Sequence, residues 1–177
     1  MKKIALFLSL VLLMGAMTAC GSAPAETTAP QSAVTAPEGT TEELMNKLYE
    51  NVTVELPLMT MPIDLADEFA VTAYTGAASA EGMLEGAFNE SMIGAQAYSL
   101  SLVKCESADA AAALAQTMFD SIDTRKWVCV EATEKQAVVC GDLAFFVMLD
   151  PEYGVTTDQI VEGFTAVCGG AVDSVIK

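Results

Sequence analysis

Histidine is absent from this 177-residue chain and basic residues are scarce, with eight Lys and Arg against 24 Asp and Glu and a formal charge of −16. Without an imidazole there is no Ser-His-Asp triad, no Cys-His nucleophile pair and no zinc site built on histidine. Without clustered Lys and Arg a phosphate backbone cannot be neutralised, so nucleic acid is excluded as a partner. Long apolar runs are also lacking. The stretch from Ile4 to Met14 is interrupted by Ser9 and falls short of the roughly 20 residues needed to span about 30 Å of hydrocarbon.

That short run has the form of an export leader. Lys2 and Lys3 supply a positive start, the apolar stretch follows, and Met17-Thr18-Ala19-Cys20 ends it in small residues and a cysteine. The pattern resembles a lipobox, at which bacterial lipoprotein precursors are diacylated on the cysteine sulfur and cleaved just before it. Met17 stands where leucine is usual. The expectation is a signal peptide over 1–19, a lipid on Cys20, and a membrane partner reached through that lipid, with the protein facing outside. Residues 20–39 follow as Ser, Ala, Thr, Pro and Glu, with Pro24, Pro30 and Pro37 and few large apolar side chains. Such a segment cannot offset the entropy of ordering, so it is expected to be a mobile tether. Losing Lys2 and Lys3 with the leader makes the mature chain still more acidic, and anionic headgroups should repel it.

Residues 40–177 are of a length for one domain. Thr40 and Glu43 have capping-box spacing ahead of a short helix with Leu44 and Leu48. Val52 to Leu56 alternates like a strand, the segment Pro62 to Gly76 suggests about two helical turns, and Ser79 to Phe88 suggests another short helix. Ala95 to Cys105 alternates clearly, with Tyr98, Leu100 and Leu102 on one face and Ser99, Ser101 and Val103 on the other. Ser107 caps an amphipathic helix over Ala108 to Ile122. Trp127 to Glu131, Gln136 to Cys140 and Leu143 to Leu149 have the composition of strands, and Gly141-Asp142 that of a two-residue hairpin turn. After a turn over Pro151 to Gly154, a last helix starts at Thr157 with Ile160, Phe164, Val167 and Cys168 on one stripe. The expected fold class is α+β, an antiparallel sheet of about four strands with helices packed on it.

The stretches Tyr98 to Val103, Arg125 to Glu131 and Val138 to Met148, with the Ala-rich helix between the first two, resemble a domain-of-unknown-function family, number forty-three fifty-eight. Its members are lipoproteins of Gram-positive, clostridial-type bacteria. The resemblance covers roughly 60–168 and is most specific from Trp127 to Met148. It implies a location and a fold. The family has no assigned activity, so it implies no catalytic residue and no cofactor.

Four cysteines lie beyond Cys20, at 105, 129, 140 and 168. Outside the cytoplasm they allow two disulfides in three connectivities, while in a reducing setting they stay as buried thiols. A three-residue loop over Thr133 to Lys135 would set Cys129 across the ladder from Cys140, within reach of a disulfide. A four-residue loop would put Cys129 opposite Val138 instead. Cys168 falls on the apolar stripe of its helix and is read as core.

Asp64, Asp67 and Glu68, the pair Glu81 and Glu85, and Asp120 with Asp123 bring carboxylates together, but none has the ligand pattern of a calcium loop. They are read as solvated faces, and no metal ligands are assigned. Met59 and Met61 alone make a poor copper site. Trp127 beside Arg125 and Lys126 is either a rim filler or a stacking platform for a ligand.

With no nucleophile-base pattern, the leading expectation is a non-enzymatic binding or structural module on a membrane anchor, with an unknown protein or small-molecule partner. Next is an accessory subunit docking on an envelope complex through its sheet. That reading is favoured because Trp127 to Glu131 and Leu143 to Met148 look apolar on both faces, so one face is left to residues 52–90 or to a partner. A hydrolase built on two carboxylates comes last.

Overall fold

Leu143 to Leu149 contains no polar residue, and a strand apolar on both faces is stable only when both faces are covered. The computed structural model describes residues 34–177 and satisfies that demand. The leader, Cys20 and the first part of the tether lie outside the described residues.

The elements run α1 (Thr41–Leu48), β1 (Leu58–Pro62), α2 (Glu68–Thr75), β2 (Met83–Ser91), β3 (Tyr98–Cys105), α3 (Ala108–Ser121), β4 (Glu134–Cys140), β5 (Leu143–Leu149), a 3-10 turn (Pro151–Tyr153), α4 (Thr157–Val167) and β6 (Ser174–Ile176). The strands form one antiparallel sheet in the order β1-β2-β3-β5-β4-β6. The α+β class holds, with six strands rather than about four.

Every residue of β5 is buried. On one side Phe145, Val147 and Leu149 join Tyr98, Leu100, Leu102 and Val138 under α1 and α4, where Phe164 stacks on Phe145 with ring centroids 4.3 Å apart. On the other side Ala144, Phe146 and Met148 meet Val103 and Ala137 beneath Ala111, Leu114, Ala115 and Met118 of α3, with α2 alongside. The small face of α3 lets the helix lie close on the sheet. Both faces are therefore covered by the chain itself. One face is filled by α1 and α4, elements outside the 52–90 segment, and the other by α2 and α3, so the centre of the sheet leaves no open apolar face of the kind on which a docking reading relied.

Start and stop signals behave as their chemistry requires. Thr40 and Glu43 close the capping box of α1, and Ser107 accepts from the Ala110 amide at the start of α3. A second capping box, Thr156 with Gln159, opens α4.

Four expectations need correction. Val52 to Leu56 forms no strand, and the pairing strand is β1 a few residues later. Ser79 to Phe88 is not a helix: Gly82 takes a left-handed φ of 77°, and β2 runs from Met83 between β1 and β3. Its Gly86 leaves room for Ile63, whose side chain comes within 3.1 Å of where a Cβ would stand. Trp127 to Glu131 is not a strand, because β4 is flanked by β5 on one side and by the unforeseen C-terminal β6 on the other, so no ladder is open to it. Glu134 and Lys135, taken for loop, are in β4 opposite Leu149 and Met148. The hairpin that would have faced Cys129 with Cys140 therefore does not exist.

Packing also begins before Thr40. Val34 donates its amide to Asp173 at 2.9 Å, and Val34 and Ala36 pack on the α1/α4 core. They cross the β4–β5 turn at Gly141, whose φ is 58° and whose hypothetical Cβ would stand 2.7 Å from both the Ala36 nitrogen and the Val34 oxygen. Gly154 has a similar φ of 82° with open space around it. Gly154→Ala should thus cost about 1–2 kcal/mol from backbone strain alone, and Gly141→Ala about 2–4 kcal/mol because crowding adds to strain. Equal losses in urea denaturation would mean that residues 34–36 do not dock.

Candidate functional site

Between α3 and β4 the chain runs from Ile122 to Thr133 without regular structure, at the edge of the face covered by α2 and α3. Local bonds hold it. Asp123 accepts from the Arg125 amide at 2.9 Å, and the Ala132 amide closes the loop on the Thr124 carbonyl, also at 2.9 Å. Cys129 is the only non-glycine among the described residues with positive φ, at 68°, so the chain turns sharply there.

The turn sends consecutive residues in different directions. Lys126 points inward, where its Nζ donates to Ser99 Oγ at 3.0 Å, pairs with the Glu90 carboxylate, and lies 4.7 Å from the centre of the Tyr74 ring. Glu90 and Ser99 face each other across β2 and β3, and Ser99 donates to Glu90 at 2.9 Å. Tyr74 stacks on Phe88 with centroids 3.8 Å apart. Burial holds the Lys126 ammonium below the usual lysine range, while Glu90 pulls the other way. The side chains of Lys126 and Glu90 are only 20% and 21% exposed, so breaking the pair by removing one partner strands a charge.

Around this anchor the loop forms a cleft of about 330 Å³ lined by Arg125, Trp127, Cys129, Val130 and Glu131. Trp127 packs one side against the α2/α3 core and is half-buried. Arg125 and Glu131 pair across the mouth with side chains 76% and 46% exposed, and such a solvated pair contributes little stability. The guanidinium is therefore cheaply released to an incoming anion. The cleft offers a cation, an aromatic face and apolar contact, a recognition set. Its one carboxylate, Glu131, is tied to Arg125, and it contains no base poised beside a nucleophile.

The remaining candidate residues do not assemble. Among the described residues no three of His, Cys, Asp and Glu converge as metal ligands. Asp67 caps α2, Asp64 accepts from the Ala66 amide, Glu85 accepts from the Thr41 amide and hydroxyl, and Asp120 accepts from Gln116. Met59 and Met61 lie on the same side of β1 as Glu90 and Phe88, both half-exposed. Cys129 is an exposed loop thiol and Cys140 a buried strand residue, and all four described cysteines are free. The expected lipid site, Cys20, lies outside the described residues.

Sequence reasoning saw Arg125, Lys126 and Trp127 but missed Tyr74, Phe88, Glu90 and Ser99, which no short spacing links to them. It also missed a second buried polar chain beneath α1, in which Tyr98 and Tyr49 share a 3.1 Å hydroxyl contact, Tyr49 donates to Asn89 and Asn89 to Thr60. Burial pushes both phenols far above the ordinary tyrosine range.

No family model matches the chain, and no match is found among curated proteins or solved structures.

Burial, and then the Glu90 charge, push Tyr74 up from 10.0 to about 12. The folded protein thus keeps a proton that the unfolded chain loses, so this stabilisation is complete below pH 10.0 and is lost as pH rises through about 12. Tyr74→Phe should keep the stack yet show a shallower fall in stability across that window. It should also lose one late-titrating tyrosinate in alkaline absorbance titration.

Proposed function

We propose that the protein is a lipoprotein held on the outer side of a cell membrane by a lipid on Cys20, whose domain is a non-enzymatic binding module. The anchor rests on one observation: a cysteine placed where a positively started, leader-length apolar run ends in Met17-Thr18-Ala19 and an extended polar tract begins. Among the described residues no helix is long and apolar enough to cross a membrane.

The binding role rests on the cleft at Arg125 to Glu131. Its exposed cation and aromatic wall suit a small ligand with a flat part and a negative group. In a chain of charge −16 such a ligand meets a largely repulsive surface, so a local cation is what admits it. A second reading, an accessory subunit of an envelope complex, draws on Met59, Met61, Met92 and Ile93. These are each between 41% and 67% exposed around β1 and the end of β2.

Cys20→Ala should move the protein from the membrane fraction to the medium and abolish labelling by a fatty-acid probe. Retention of the variant on membranes would defeat the anchor. Trp127, the sole tryptophan, reports on the cleft. Small aromatic carboxylates should shift its emission, and Arg125→Ala should remove that shift without changing Tm. Absence of any shift across such a series would favour the docking reading.

A further inference from the structure

Phe164 stacks on Phe145, and Phe145 is paired with Val138. Four residues along α4 advance about 6 Å, which matches two residues along a strand. Cys168, four residues after Phe164, thus comes to lie over the position two residues beyond Val138, which is Cys140 opposite Leu143. Both cysteines belong to the same buried cluster under α1 and α4. Cys105 lies on the opposite face of the sheet, and Cys129 is out in the loop.

We propose that Cys140 and Cys168, rather than Cys129 and Cys140, are the redox pair of this domain and form a disulfide joining the end of β4 to the end of α4. The oxidant is a low-molecular-weight disulfide. One thiolate of the pair attacks it and expels one thiolate, forming a mixed disulfide. The second protein thiolate then displaces the other half, so the protein loses two thiol protons and two electrons while the reagent becomes two thiols.

The surroundings suit a pair and not two unrelated core cysteines. Each thiol shifts the ionisation of the other: Cys168 holds Cys140 below the usual thiol range, while Cys140 and burial push Cys168 above it. The carboxylates facing the pair, Asp142 and Asp173, oppose ionisation. Cys140 is wholly buried and Cys168 is 7% exposed, so exchange proceeds through opening of the turn at Gly169 and Gly170, where two left-handed glycines follow the helix. The bond would fasten a junction that is already shared. Asp173 donates its amide to the Val139 carbonyl, and its carboxylate accepts from Gly141 and from Val34. It would lie directly under the point where the expected tether meets the domain. The inference goes beyond the proposed function and holds whether or not Cys20 carries a lipid.

The test is thiol counting on the full chain carrying Cys129→Ser, which removes the exposed thiol. The protein is incubated folded with oxidised glutathione, quenched with acid, unfolded without reductant, alkylated and digested. Cys140 and Cys168 should both disappear from the alkylated set and appear in one linked peptide, with Cys105 alkylated. The oxidised form should melt at a higher temperature, and reductant should reverse this. Retention of three alkylatable domain thiols at every oxidant concentration would overturn the proposal, as would a linked peptide containing Cys105 or a glutathione adduct that never resolves. Because the linkage is read in a chain with both cysteines intact, the outcome does not depend on whether Cys168→Ala folds.

Discussion

The rest of the structure depends on one constraint: β5 is apolar on both faces and lies between two strands that are nearly as buried. Such a strand cannot form the floor of an open sheet. It requires a layer of helix above and another below, which the chain supplies from opposite ends of the sequence, α1 and α4 on one side and α2 and α3 on the other. The long-range order of the molecule follows from satisfying both faces at once. The first helix and the last become neighbours, and β6 closes the edge of β4.

Covering the centre decides where anything else is able to happen. With both faces occupied, open chemistry is left to the loop between α3 and β4, to the turns and to the β1 edge. The loop differs from the others in being nailed down by a mostly buried ion pair, Lys126 with Glu90, beside the Tyr74–Phe88 stack. A fixed inner residue flanked by outward Arg125 and by half-buried Trp127 keeps the cleft shaped without a ligand, the condition for recognition at low entropic cost.

Local signals predicted local structure well. The capping box at Thr40, the Ser107 cap, the Gly141-Asp142 turn and the run Leu143 to Leu149 are each decided within a few residues and have their expected form, and the alternation read over Ala95 to Cys105 becomes a strand that starts three residues later, at Tyr98. The errors arise where pairing at a distance decides. Trp127 to Glu131 has the alternation of a strand, but its place beside β4 is taken by Ser174–Ile176, about forty residues later. Ser79 to Phe88 carries glutamates at helical spacing, but the open edge of β3 draws Met83 onward into the sheet. The same limit governs the site. The triplet at 125–127 was visible, whereas Glu90, Ser99 and Tyr74 join it only through the fold, as Cys168 joins Cys140.

The central claim is that stability is concentrated in a doubly covered β3–β5–β4 centre, while Val128 to Glu131, beyond the buried Lys126–Glu90 anchor, makes few bonds to the rest of the fold. Native-state hydrogen exchange followed residue by residue tests it directly. The account predicts that β5 amides, with their β3 and β4 partners, exchange only through global unfolding and are the slowest in the chain. The amides of Val128 to Glu131 should exchange orders of magnitude faster. Exchange of β5 as fast as that of the β1 edge, or a loop as protected as the centre, would contradict it.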